Sequence, residues 1–269
     1  MLTHGFVSRA LIAAILIGIM AGAIGTFVIL RGISLMGDAI SHAVIPGVAI
    51  SHVLGISYLF GASVFGILTA LLIGFITEKS TLKKDTIIGI VFSTFFAMGL
   101  VLISQIRTNS DLMDILFGNI LTVSQIDIRN ITIVLVVTLL FITLLYKQLM
   151  ITSFDETLAK VYGMKTKLIH YSFMLIFTVV IVISLEIVGA ILIVSMIIAP
   201  ASIAYLLTNR LYIMLVLSCF IGAVASVVGI FFSFTLNWPS GASIVLTLGV
   251  LFVITFLFAP KKGILLARR

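Results

Sequence analysis

Long apolar runs separated by short polar segments dominate the chain. Several runs reach the roughly 20 residues that a helix needs to cross about 30 Å of hydrocarbon, and none has the short alternating pattern of an outer-membrane barrel. The predicted spans are residues 10–30, 36–54, 57–77, 86–105, 131–149, 169–185, 188–207, 211–235 and 241–258. We therefore predict an all-α, polytopic transmembrane helical bundle of eight to nine spans, forming a single domain over residues 1–269.

Two parts of this pattern are irregular. The second predicted span contains Pro46, which cannot donate a backbone hydrogen bond, so we expect an irregular helix there. The apolar stretch between Tyr171 and Leu207 is too long for one crossing. We predict that it folds back near Ser184, Glu186 and Gly189.

Composition supports a membrane location and limits the partners. The chain is 62% hydrophobic and 9% charged, too little polar surface for a soluble globule. Placing the EKSTLKKD loop, residues 78–85, in the cytoplasm puts thirteen of the 16 Lys and Arg residues inside and three outside. This distribution predicts an outside N-terminus and a cytoplasmic C-terminus in a multi-pass plasma-membrane protein. It also explains the net charge of +7 without nucleic acid as a partner. The lone Cys219 excludes an intrachain disulfide.

Asp38 and His42 are an unusual pair inside the apolar stretch LMGDAISHAVIPG, residues 35–47. At positions i and i+4 they share one helical face and could hold one ion between them. Oxygen and imidazole ligands together suit manganese, ferrous iron or zinc. The alternative is that the two side chains pair only to fix helix packing. Two ligands do not fill a coordination shell, so other segments or a second copy of the chain must contribute to a metal site.

Three further ionisable residues are candidates for metal transit or gating: His52, Glu186 and Asp114. Each has a plainer interpretation. His52 can be an ordinary residue at the outer end of its helix, and Glu186 a solvated turn residue. Asp114, with its acidic neighbours, can cap a helix or contact a partner.

The segment SFDETLAKVYGMKTK, residues 153–167, predicts a short amphipathic helix over about 153–163. Ser153 and Glu156 have capping-box spacing, and Gly163 is a natural C-terminal stop. The apolar face contains Phe154, Leu158, Val161 and Tyr162. The helix is too short and polar to span, so it either lies on the membrane lipid or docks a cytoplasmic partner.

A nucleotide-binding motif is missing from the sequence. No GxxxxGK[ST] loop occurs, so ATP-driven transport would need a separate ATPase polypeptide. No HExxH motif supports an intramembrane hydrolase. A gradient-driven secondary metal transporter and a permease for an organic metal chelate remain as alternatives.

Four ordered motifs carry a family resemblance that covers nearly the whole chain. They are RGISLMGDAISHAVIPGVAI (31–50), LFGNILTV (116–123), DETLAKVYG (155–163) and VGAILIVSMIIAPASIAYLL (188–207). Together they resemble the membrane permease subunits of bacterial ABC importers for manganese, zinc and iron.

The resemblance implies a homodimeric permease, a cytoplasmic ATP-binding subunit and an extracytoplasmic metal-binding receptor protein. It implies that Asp38 and His42 contact the transported metal, that no cofactor is permanently bound, and that the partner subunit hydrolyses ATP. The family's coupling helix maps onto residues 155–163, so Phe154, Asp155, Glu156, Ala159 and Gly163 are expected to couple to the ATPase. Glu186 departs from the expected uncharged or basic residue. The LMGDAISHAVIPG form resembles the manganese-type members of the family more than the zinc-type ones, so manganese is expected, with zinc and iron as alternatives.

Overall fold

The fold consists of α-helices joined by short links. The computed structural model describes residues 5–105 and 120–259. Within those ranges it contains twelve α-helices, a 3₁₀ turn at Ile120–Thr122 and no β-strand. The helices are α1 Gly5–Leu30, α2 Leu35–Ala43, α3 Ile45–Leu54, α4 Tyr58–Lys79, α5 Lys84–Gln105, α6 Gln125–Leu144, α7 Tyr146–Phe154, α8 Glu156–Val161, α9 Thr166–Val188, α10 Ala190–Leu207, α11 Leu211–Leu236 and α12 Ser240–Phe258.

Eight of the described helices are long and apolar enough to cross a membrane: α1, α4, α5, α6, α9, α10, α11 and α12. The second predicted span is divided into α2 and α3, with Val44 between them. The irregularity expected from Pro46 is therefore present, and the range of eight to nine spans agrees with the structure.

The predicted fold-back after α9 is also present. Gly189 separates α9 from α10 and has a φ of 79°, a conformation that L side chains rarely adopt. Glu186 lies in the last turn of α9, three residues before this glycine.

Small residues bring α1 against its neighbours. A Cβ atom at Gly22 would lie 2.5 Å from the carbonyl oxygen of Ser218 on α11, so no side chain fits between the two backbones. The Ser218 hydroxyl donates a 2.8 Å hydrogen bond to the carbonyl of Gly22, and Ser226 donates one of 3.0 Å to Ala14. These contacts place α1 at the centre of the bundle.

The start of α6 differs from the predicted boundary. The helix begins at Gln125, six residues before the predicted 131, because a capping box extends it. Ser124 Oγ accepts from the Asp127 N–H, and the Asp127 carboxylate accepts from the Ser124 N–H. Asp127 thus caps a helix, which is the plainer of the two roles considered for the acidic residues of this region.

Candidate functional site

The structure brings Asp38 and His42 together on α2. Asp38 Oδ1 lies 3.5 Å from His42 Nε2, and the two side chains are 51% and 28% exposed. The helical i, i+4 spacing accounts for this proximity. Two candidate metal ligands, a carboxylate oxygen and an imidazole nitrogen, therefore face one another at an accessible surface within an apolar segment.

Aromatic rings on α5 hold the His42 imidazole in place. The rings of Phe92 and Phe96 meet it edge-on, at centroid distances of 5.7 Å and 5.6 Å. The Nδ1 atom of His42 is buried and has no hydrogen-bond partner among the described residues. Burial of Nδ1 leaves Nε2, the atom that faces Asp38, as the available ligand.

The pair does not form a complete metal cage by itself. Within residues 5–105 and 120–259, no group of three or more His, Cys, Asp or Glu side chains could hold a metal ion. Further ligands would have to come from backbone carbonyls, water or another chain, as the sequence argument anticipated.

The helix break next to the pair is packed tightly. Pro46, near the start of α3, has no N–H to offer the carbonyl of His42. One residue later, α3 meets α4 backbone to backbone. A Cβ atom on Gly47 would lie 2.6 Å from the carbonyl carbon of Gly61. This close contact fixes the position of α3. It therefore also fixes the direction in which the chain leaves α2, the helix that carries the pair.

The other candidate transit residues do not join the pair. His52 lies in the last turn of α3, where its Nδ1 is 2.7 Å from the Tyr58 hydroxyl and the two rings are stacked. Glu186 is exposed near the end of α9. Asp114 lies outside the described residues.

The amphipathic segment differs from its predicted capping. Ser153 is not a helix cap but the penultimate residue of α7, where its hydroxyl donates to the Leu149 carbonyl. Asp155 is the N-cap of the six-residue α8, and its carboxylate accepts a 2.9 Å bond from the Leu158 N–H. Glu156 instead pairs with Lys160 at 2.9 Å. The predicted capping box of Ser153 and Glu156 is therefore wrong, because the N-cap is Asp155, two residues after Ser153.

The surface of this segment is apolar and uncovered. Ala159, in the middle of α8, is fully buried and faces the bundle, and Gly163, with a φ of 71°, lies just beyond the C-cap Tyr162. The large apolar side chains point away from the bundle, with Val161 79% exposed. The exposed set, here called the coupling face, is Phe154, Leu158, Val161 and Tyr162.

A cavity of about 500 Å³ adjoins the coupling face at Phe154. Its charged lining residues are Arg31, Glu78, Lys84, Glu156, Lys160 and Lys167. Lys167 pairs with Glu78, and the Lys160 ammonium holds the pKa of the Glu156 carboxyl below its usual value. The cavity joins the ends of five helices, so basic residues from distant parts of the sequence gather at one end of the bundle.

Sequence reasoning did not single out Arg31, which the structure shows to be a central contact of this cavity. Burial lowers the pKa of its guanidinium to about 10, so the group stays charged at neutral pH. Its partners lie more than 120 residues away in the chain. The only available signal was its position seven residues before Asp38 at the head of the same motif.

The eight long apolar helices define a multi-pass membrane protein, with an ionisable pair in a broken helix and an exposed apolar face at α8. A model of the ABC 3 transport family matches residues 3–259. The chain belongs to this family and is a permease of the bacterial plasma membrane. The predicted resemblance is thereby confirmed.

Individual relatives match over almost their full length. The Manganese transport system membrane protein MntC of Listeria monocytogenes is 48% identical over 269 residues, covering 100% of this chain and 96% of the relative. The Manganese import system permease protein ScaB of Streptococcus parasanguinis is 51% identical over 257 residues, covering 96% and 92%. The solved structure of PsaBC from Streptococcus pneumoniae in complex with Fab aligns with a TM-score of 0.86 at 50% identity, covering 97% of this chain and 94% of the other.

Proposed function

We propose that this chain is the permease subunit of an ATP-driven importer of manganese, and that Asp38 and His42 contact the ion as it passes. The observation that carries this proposal is the accessible oxygen and nitrogen pair, 3.5 Å apart, in a broken helix of a membrane bundle. Ionisable side chains within a membrane are costly, and they commonly face a cavity or one another and mark ion pathways. Similarity to permeases named for manganese supports this choice of metal.

Two copies of the chain complete the transport site in this proposal. A single copy provides two ligands, and manganese prefers about six. A two-fold axis beside α2 would bring two Asp38 and His42 pairs to one channel. The exposure of the Asp38 side chain in the single chain is consistent with such a partner.

The remaining subunits are those that membership of the family implies. The coupling face docks a separate cytoplasmic ATP-binding subunit, and an extracytoplasmic receptor protein delivers the metal at the opposite end. The permease itself has no catalytic role and no permanent cofactor. The basic end of the bundle around the cavity faces the cytoplasm, as the positive-inside rule requires.

The test is the manganese, zinc and iron content of transporter-deleted cells, measured by elemental mass spectrometry at matched membrane levels of protein. Cells carry the wild type, Asp38→Ala, His42→Ala or the control Asp85→Ala, which removes an exposed carboxylate outside the pair. We expect the wild type and the control to restore manganese, and both pair variants to fail.

Other results would revise the proposal in defined ways. Restoration of zinc or iron alone would keep the pathway and change the metal. Pair variants as active as the wild type would make the pair structural. No change in any of the three metals with the wild type would favour an organic chelate as the substrate.

A further inference from the structure

Arg31 occupies the junction between the coupling segment and the helix that carries the metal pair. It follows Leu30, the last residue of α1, and a four-residue link, 31–34, leads directly to α2. A side chain fixed here constrains where α2 begins.

One side of the guanidinium is bound to α7. Its Nε donates to Ser153 Oγ at 3.2 Å, and its Nη2 donates to Thr152 Oγ1 at 3.0 Å. Both hydroxyls already donate to carbonyls of their own helix, to Leu149 and Gln148 respectively. Their lone pairs are thus directed to accept from the guanidinium, and the fork of Arg31 fits two adjacent acceptors as a single ammonium does not.

The other side of the guanidinium rests on an aromatic stack. Its central carbon lies 4.4 Å from the centre of the Phe173 ring on α9. The Phe173 and Phe177 rings are stacked at 6.1 Å with an angle of 17° between their planes. The tip of Phe177 in turn lies against Gly37, where a Cβ atom would be 3.6 Å away.

These contacts form a continuous packed route between the two functional regions. It begins at Ser153, next to the coupling face, and passes through Arg31, Phe173 and Phe177 to Gly37, the neighbour of Asp38. Within the described residues, Arg31 forms no salt bridge with a carboxylate. The Glu156 carboxylate in the same cavity acts on the Arg31 guanidinium without a direct ion pair, so the direct polar contacts of the guanidinium are the two hydroxyls of α7.

We propose that Arg31 is a positioning residue that transmits movement of α7 and α8 to α2. It thereby couples ATP hydrolysis in the partner subunit to the positions of the Asp38 and His42 side chains. The inference rests on the proposed function. The test measures this coupling directly, as the manganese imported per ATP hydrolysed.

The experiment uses the complete transporter, with its ATPase subunits, in proteoliposomes supplied with metal-loaded receptor. Manganese imported and ATP hydrolysed are measured together for wild type, Arg31→Gln, Arg31→Lys and Lys84→Gln. The last is a matched control, because Lys84 is a cation lining the same cavity but outside the route. A residue that only stabilises the fold would change the amount of active complex, not the ratio of manganese to ATP.

We expect Arg31→Gln to keep ATP hydrolysis within about twofold of wild type while manganese imported per ATP falls at least about tenfold, since a charge-assisted pair of hydrogen bonds is lost. Arg31→Lys should be intermediate, because it keeps the charge without the fork. Lys84→Gln should match wild type. A wild-type ratio in Arg31→Gln would overturn the inference, and so would a parallel fall of import and hydrolysis at an unchanged ratio.

A second pair of variants covers the case in which Arg31→Gln fails to assemble. Ser153→Ala and Phe177→Leu leave the arginine in place and alter the route on either side of it. Both should lower the manganese imported per ATP hydrolysed. The effect of the double variant should be smaller than the sum of the two single effects. Ratios equal to wild type in both would overturn the inference. If the wild-type complex hydrolyses ATP but imports none of the three metals, the proposed function fails instead.

Discussion

Substituting Gly47 by alanine should separate α3 from α4 and disturb the broken helix. The new Cβ atom would lie 2.6 Å from the Gly61 carbonyl carbon and 2.9 Å from a ring carbon of Phe65. Ordinary van der Waals contact begins at about 3.4 Å, and the Gly61 carbonyl oxygen would lie closer still than the carbonyl carbon, so the two backbones must move apart by more than about 0.8 Å. Phe65 can rotate, but the Gly61 backbone cannot yield without moving α4.

The magnitude follows from this geometry. Overpacking of a well-packed contact costs about 1–3 kcal/mol. A functional site tolerates displacements of about 0.5 Å, so a shift of this size in the segment after His42 should also affect transport. We expect a lower thermal unfolding midpoint for the purified permease in detergent, and manganese import per folded protein reduced several-fold.

The matched control is Gly89→Ala on α5, where a Cβ atom would have nothing within 4 Å. Alanine favours helix over glycine by about 1 kcal/mol, so this variant should be as stable as wild type or more so. The reasoning would be refuted if Gly47→Ala had the unfolding midpoint and the manganese import of the wild type. The close approach of α3 and α4 would then not constrain the site.

Two other substitutions separate capping and packing from transport. Asp155→Ala removes the acceptor for the Leu158 N–H and should cost the short helix about 0.5–2 kcal/mol. Coupled ATP hydrolysis should weaken in this variant, and Asp155→Asn should restore it. Equal ATPase activity in the wild type and both variants would contradict this role of the cap. Ser218→Ala removes the interhelical bond to the Gly22 carbonyl, which still accepts from Thr26. The loss should be about 0.6 kcal/mol and at most about 1.7, visible as a small fall in the unfolding midpoint with unchanged import per folded protein. A change in import without a change in unfolding would oppose that assignment.

The spans were predictable because each is set by one local requirement, enough apolar residues to cross the hydrocarbon. The division of the second span followed from Pro46, and the turn before α10 from Gly189. The pairing of Asp38 with His42 was equally accessible, because helical geometry alone brings positions i and i+4 together.

Features that depend on packing were not predictable in the same way. Ser153 has the spacing of a capping box, but α7 continues through it and Arg31 takes its oxygen as an acceptor. Asp155, two positions later, lacks the Glu or Gln of a capping box but is itself a favoured N-cap residue, so the local sequence alone does not decide between them. The rings around His42 likewise come from α5, and nothing in the motif itself specifies them.

The central position of α1 has a consequence for biogenesis. This helix is synthesised early, yet its hydrogen-bonded neighbour Ser218 is 196 residues further along the chain. At about 5–20 residues per second, α1 waits roughly 10–40 seconds in the bilayer before that partner emerges. Its Gly18 and Gly22 surface suits the delay, because the nearby Thr26 hydroxyl already donates to the Gly22 carbonyl within α1. The permease therefore inserts its innermost helix among the first and encloses it only near the end of synthesis.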